Sequence, residues 1–148
     1  MYQDVLNQKA RDIIKENIYL SLGTADVNPW VSPLFYCVDP QYNFYFISQL
    51  DSLHTRNMTK KPNVAFAIFD SHQKEGEGNG IQGNGTVKLL EGNDLTEGLK
   101  HYSTTFIELG ADQLSGNAPY RLFKLSTDKF YVLDTEAETD KRVEVFTN

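Results

Sequence analysis

The chain reads as a mainly β protein: a closed or nearly closed antiparallel barrel of six or seven strands with two or three flanking helices. Three observations carry that reading. Short runs rich in β-branched and aromatic residues recur at even spacing, joined mostly by hairpin signals. Within residues 64–69 large and small side chains alternate, with Val64, Phe66 and Ile68 on one face and Ala65 and Ala67 on the other. Gly83 and Gly85 fall on a single face of a later run, where a barrel must bend or another backbone comes close.

At the N-terminus, Tyr2, Leu6, Ala10, Ile13 and Ile14 recur at helical spacing, predicting an amphipathic helix over residues 3–17. Ile18, Leu20 and Leu22 then alternate with Tyr19, Ser21 and Gly23, which is strand periodicity. After the break at Asp26-Val27-Asn28-Pro29 a second strand is expected over residues 30–38. The turn residues Asp39-Pro40-Gln41-Tyr42-Asn43 signal a hairpin into a third strand from Phe44. That strand carries aromatics on both faces, more than a lone subunit is expected to cover. A short helix over residues 52–60 is closed off by Pro62, which disfavours helical geometry at Lys61. A fourth strand covers residues 63–70. Residues 71–80, SHQKEGEGNG, form a polar, glycine-rich exposed loop. A fifth strand follows over residues 81–90. Asp94 with Glu97 predicts the cap of a second long helix whose face carries Leu95, Leu99, Tyr102 and Phe106, ending at Gly110. Residues 120–125 and 130–133 predict a hairpin around Ser126-Thr127-Asp128, and residues 143–146 are expected to add an edge strand.

One domain, residues 1–148, accounts for the whole chain, with no repeat and no linker. A net charge of -6 argues against nucleic acid and against anionic membranes, which want a basic face. The N-terminus lacks a signal-like apolar core, and no run is long enough to span a bilayer. The single Cys37 forms no internal disulfide and reads as a buried, inert thiol. Together these predict a soluble, cytoplasmic protein.

The densest chemistry lies in residues 43–70. Between two strand runs sit Ser52, His54, Thr55, Arg56, Lys60 and Lys61, a basic, hydroxyl-rich segment in an acidic chain. A helix start of this kind suits a small anion, because its backbone N–H groups and dipole favour negative charge. The plainer alternative is a capped helix: Asp51 or Ser52 caps it, His54 is solvated, and the lysines serve its C-terminal end. Other candidates fall away. Residues 78–83, GNGIQG, match a dinucleotide fingerprint, but a loop precedes them and a β-rich run follows. His54, His72 and His101 lie in different elements without metal-ligand spacing, so no metal site is expected. No G-x-S-x-G elbow supports a serine triad.

The run ISQLDSLHTRNM from Ile47, followed by PNVAF from Pro62 and IQGNGTVKLLE from Ile81, resembles the pyridoxamine 5'-phosphate oxidase-like superfamily of FMN-binding split β-barrels. The resemblance covers roughly residues 15–95 and lies in the order of motifs. It implies a homodimer with FMN at the subunit interface and a flavin-dependent oxidoreductase or flavin reductase. Ser48 would then contact the isoalloxazine edge. Ser52 and His54 would hold the phosphate, with Thr55 close by. Gln82 would reach the ring or ribityl chain, and Val31, Ser32 and Pro33 would present backbone groups to the ring. No catalytic residue is assigned. Two departures stand out. Leu53-His54 replaces the Arg-Lys pair that follows the serine in the oxidases proper, and the C-terminal segment lacks their basic and tryptophan positions. Vitamin B6 oxidation is therefore not expected. The rival reading is a non-catalytic flavin or haem carrier or sensor on the same barrel; a third is an enzyme using a deazaflavin. An unperturbed imidazole titrates near ~6.5, so His54 is expected to be partly charged at neutral pH.

Overall fold

The computed structural model describes residues 1–102 and 109–148. The strands are β1 (Tyr19–Ala25), β2 (Pro29–Phe35), β3 (Cys37–Val38), β4 (Phe44–Gln49), β5 (Asn63–Phe69), β6 (Gly80–Leu89), β7 (Tyr120–Asp134) and β8 (Lys141–Val145). They form one antiparallel sheet in the order β2-β1-β5-β6-β7-β4-β3, with β8 also beside β7. The sheet curls until β2 meets β4, giving a split barrel. Helix α1 (Tyr2–Glu16) buries Leu6, Ala10, Ile13 and Ile14 in the barrel core, as its spacing predicts. Helix α2 (Leu53–Lys60) packs on the β1–β2 hairpin, and α3 (Gly92–Leu99) lies on the outer face near β7.

Inward alternation builds the core. Phe44, Phe66 and Phe130 converge from three strands, with ring centroids 5.1 Å apart for the first pair and 5.9 Å for the second. Gly83 and Gly85 are buried where tight approach was expected: a Cβ on Gly83 would lie 2.4 Å from the Phe66 ring, and one on Gly85 2.1 Å from the Ser126 carbonyl oxygen.

Four expectations are corrected. The hairpin around Ser126-Thr127-Asp128 is instead a continuous fifteen-residue strand, β7. Its register against β6 steps from Asn84↔Lys129 to Gly85↔Thr127, so Asp128 is an extra residue that bends the strand without reversing it. The expected strand over residues 30–38 breaks at Tyr36, where the chain passes from pairing with β1 to pairing with β4. The Tyr36 amide donates to Ile18 O and its hydroxyl to Ile14 O at 2.6 Å. The third correction concerns α3, which ends at Leu99 and is not capped by Asp94. Glu91 sits at the N-cap, and the Asp94 carboxylate turns to Lys88 Nζ at 2.9 Å. Phe106 lies outside the described residues, while Gly110 opens a 3-10 turn, Ala111–Leu114. Finally, β4 needs no partner to cover its aromatics. Phe44 and Phe46 point into the barrel, and Tyr45 is buried in a second cluster with Leu90, Leu95, Leu114 and Leu122. Cys37 is partly buried in β3.

Candidate functional site

Strand β4 ends at Gln49, and the chain turns straight into α2 with Ser52 as N-cap. A serine there accepts from the first turn and relieves one orphan N–H. Ser52 Oγ accepts the Thr55 amide at 3.4 Å and lies 2.7 Å from Thr55 Oγ1 and 2.9 Å from Gln49 O. The amides of Leu53 and His54, the first two of the helix, have no hydrogen-bond acceptor among the described residues. Thr55 is 2% exposed and Ser48 4%.

His54 folds back over this start. Its Nε2 lies 2.9 Å from Ser48 Oγ and 3.4 Å from Ser52 Oγ. Ser48 either donates to an Nδ1-protonated ring or accepts from an Nε2-protonated one. Burial pushes the His54 pKa below its ordinary value and so shifts the ring toward its neutral form. Four of the sequence-selected residues, Ser48, Ser52, His54 and Thr55, thus form one hydrogen-bonded cluster at a helix N-terminus. The cluster is uncharged and offers free N–H groups, so what it can receive is an anion's oxygens.

The other sequence-selected residues lie on the sheet. Val31 and Pro33 face outward from β2, and Ser32 points inward and is buried. Register carries Pro33 through Ser21 and Ala67 to Gln82, and Val31 through Gly23 and Ala65 to Asn84. Gln82 is exposed on that same outer face, whose floor is made of small side chains. No hydrogen bond joins Gln82 to the α2 cluster among the described residues.

Lys60 and Lys61 are not part of the cluster. Lys60 Nζ reaches Asp26 Oδ2 at 3.2 Å and Lys61 Nζ donates to Asp26 O at 3.1 Å, stapling the far end of α2 to the β1–β2 turn. A cation missed from sequence is Arg121, directly across the ladder from Ser48 and only 9% exposed. Its guanidinium donates to the carbonyls of Gly116, Ala118 and Tyr120, with no carboxylate within 4.0 Å among the described residues. A charged residue set between Tyr120 and Leu122-Phe123 was the available signal. Asn57, 5% exposed, donates to Thr24 Oγ1 at 3.2 Å and fixes α2 against β1. No group of three metal-ligating side chains occurs among the described residues, and no helix there is long and apolar enough to cross a membrane.

The split barrel and the strand–serine–helix corner define a class, and comparison with known proteins places the chain in it. The family model described as pyridoxamine 5'-phosphate oxidase matches residues 6–134, and the chain belongs to that family. No curated protein matches. Among solved structures, a heme-binding protein from Mycobacterium smegmatis superposes with a TM-score of 0.72 at 14% identity, covering 93% of this chain and 57% of its own. This chain therefore spans little more than half of that protein. A FAD-binding protein from Mesorhizobium loti gives 0.62 at 15% identity over 83% of this chain and 88% of its own. HutZ, the heme storage protein from Vibrio cholerae, gives 0.62 at 18% over 86% and 94%. At these identities the likeness is one of fold.

Proposed function

We propose that this protein binds FMN and acts as a flavin-dependent oxidoreductase. The observation that carries the reading is the start of α2. Two free backbone N–H groups, the Ser52 and Thr55 hydroxyls and the His54 ring gather where a phosphate monoester would dock. The residues present fit such a group: the donors are uncharged, the helix dipole is favourable and the buried Arg121 adds positive potential behind Ser48. When bound, the flavin supplies the redox chemistry. The chain's own contribution is binding and orientation. Ser52, His54 and Thr55 hold the phosphate end, Ser48 is held in place by His54, and the small-residue face of β1 and β5 leaves room for a flat ring with Gln82, Val31 and Pro33 at its border; Ser32, whose side chain points inward, offers only backbone groups. Tyr19, Val31 and Phe69 are each more than 45% exposed around that face, which supports a second copy of the chain as its cover.

Haem is the second reading, favoured by the burial that shifts His54 toward its neutral form, the form that ligates iron. The absorption spectrum of the purified protein separates flavin, haem and deazaflavin. FMN is expected to bind more tightly than riboflavin, because the helix start recognises phosphate. Equal affinities defeat the phosphate assignment. Light scattering at micromolar concentration tests the dimer, and a monomer defeats a shared site.

A further inference from the structure

A cavity of about 510 Å³ opens between the β1–β2 turn and the side of α2, walled by Val27, Pro29, Trp30, Leu53 and Asn57. Trp30 stands directly across the ladder from Thr24, so the two side chains share one face of the hairpin. Leu53 and Asn57 are four residues apart on α2 and share one face of the helix. The hydrogen bond from Asn57 to Thr24 joins these faces and brings the Asn57 carboxamide beside the indole. Only Leu53, whose amide lies at the helix start, is common to this cavity and the proposed flavin site.

Two recognition groups in this cavity are unspent. Trp30 is 48% exposed, and no other ring and no ammonium stacks on it among the described residues. Asn57 is only 5% exposed, and its Nδ2 donates to Thr24 Oγ1 at 3.2 Å, which fixes the orientation of the carboxamide. Its Oδ1 accepts no hydrogen bond among the described residues, and its second N–H has no acceptor there. That oxygen is not sealed in the core, since Thr127 Oγ1 alone is enclosed without a partner among the described residues. A deeply set amide with its acceptor free at a cavity wall is poised to read a ligand. Charge plays little part. The one carboxylate in the lining, Asp26, pairs with Lys60 at 3.2 Å, so none is left to claim a cationic ligand.

We infer that this cavity binds the adenine ring of a nucleoside or nucleotide, stacked on Trp30 and hydrogen-bonded to the Asn57 carboxamide. The amino group of adenine donates to Asn57 Oδ1, and the adjacent ring N7 accepts from the second Nδ2 hydrogen. That edge sets a donor beside an acceptor, the complement of a carboxamide. A purine with a carbonyl in place of the amino group sets oxygen against Oδ1 and is rejected. Stacking on the indole is open to any base, so Trp30 supplies affinity and Asn57 supplies the choice.

Trp30 is the chain's single tryptophan, so its fluorescence reports on this cavity alone. Adenosine titrated into the full chain is expected to quench that fluorescence saturably. It should bind about tenfold more tightly than inosine, in which oxygen replaces the amino group. AMP in a parallel titration distinguishes the sources, binding more tightly where a phosphate takes part and equally where base and sugar suffice. Trp30→Leu, at a half-exposed position, should weaken adenosine binding about tenfold by calorimetry. The comparison with inosine reads the Asn57 edge in wild-type protein, so the test needs no substitution of that buried residue. No saturable quenching at millimolar adenosine, equal binding of adenosine and inosine, or unchanged binding by Trp30→Leu each overturn the inference.

Discussion

Adding one methyl group at Gly85 should cost this fold a large part of its stability. The Cβ of an alanine there would lie 2.1 Å from the Ser126 carbonyl oxygen and 2.9 Å from both Ser126 C and Thr127 Cα. The obstacle is backbone, so no side chain can rotate away. Relief to ordinary contact needs a shift of about 1.3 Å between β6 and β7. The bulge already interrupts the ladder there, leaving few neighbouring bonds to absorb the displacement. Losing roughly two ladder hydrogen bonds at ~1 kcal/mol each, with a buried backbone group left unpaired at ~1–3 kcal/mol, gives about 3–5 kcal/mol. Against a typical stability of ~5–15 kcal/mol that is a severe loss. At ~2–4 °C per kcal/mol it lowers Tm by roughly 6–20 °C. Gly80→Ala is the internal control. Its Cβ would meet Phe69 Cβ at 3.5 Å and Ile68 O at 3.6 Å, ordinary contacts, so a change within about 1 kcal/mol is expected. Thermal and urea unfolding of both variants, monitored by circular dichroism, makes the comparison. If Gly85→Ala melts within a degree or two of wild type, the close approach at the bulge is not real.

Three further outcomes follow from individual groups. His54 has its folded-state pKa pushed down by burial, so the unfolded chain holds more protons as pH falls below ~6.5; stability should be full above that pH and decline beneath it, and His54→Gln should flatten the decline in Tm between pH 7 and 5. Thr127 Oγ1 is buried with no hydrogen-bond partner among the described residues, so Thr127→Val should be neutral or raise stability by about 1 kcal/mol, and a fall of more than about 1 kcal/mol would reveal a partner at that hydroxyl. At Asp39, burial raises the carboxyl pKa, but the hydrogen bonds from Asn43, Tyr45 and Gln41 outweigh it and leave the group below its ordinary value; Asp39→Ala should strand those donors and cost about 3 kcal/mol in urea unfolding, whereas a loss under about 1 kcal/mol would mean that the turn holds without them.

Where period and turn chemistry agreed, the fold was legible in the sequence. The 3.6-residue recurrence of Leu6, Ala10, Ile13 and Ile14 and the large–small alternation of residues 64–68 each specify a face, and each face is buried as specified. Legibility failed where the deciding contact was long-range. Ser126-Thr127-Asp128 has turn-forming composition, yet a bulge against Gly85 lets β7 run through it. Asp94 and Glu97 fail for a nearer reason: they have capping spacing, yet Lys88 and Lys100, six and three residues away, compete for them as ionic partners. No local pattern encodes which strand lies opposite.

The candidate site divides along the same line. Ser52, His54 and Thr55 lie within four residues of one helix start, so their company was readable from spacing alone, and the N-cap geometry follows from the residue types. The Ser48–His54 pair bridges a strand end and a helix across a corner whose angle the sequence does not state. That pairing alters the chemistry expected of the histidine. A solvated His54 would bring positive charge to an incoming phosphate more readily than one half-buried against Ser48, whose pKa burial lowers. Under the proposed function, phosphate binding there would rest chiefly on the Leu53 and His54 amides and the helix dipole, with Arg121 behind Ser48 as the permanent cation the ladder supplies. FMN affinity is accordingly expected to fall more on Ser52→Pro, which removes the cap hydroxyl and constrains the corner, than on His54→Gln, which keeps a neutral donor; titrating both variants with FMN by flavin fluorescence ranks them. The reverse order would return the charge of His54 to the centre of the site.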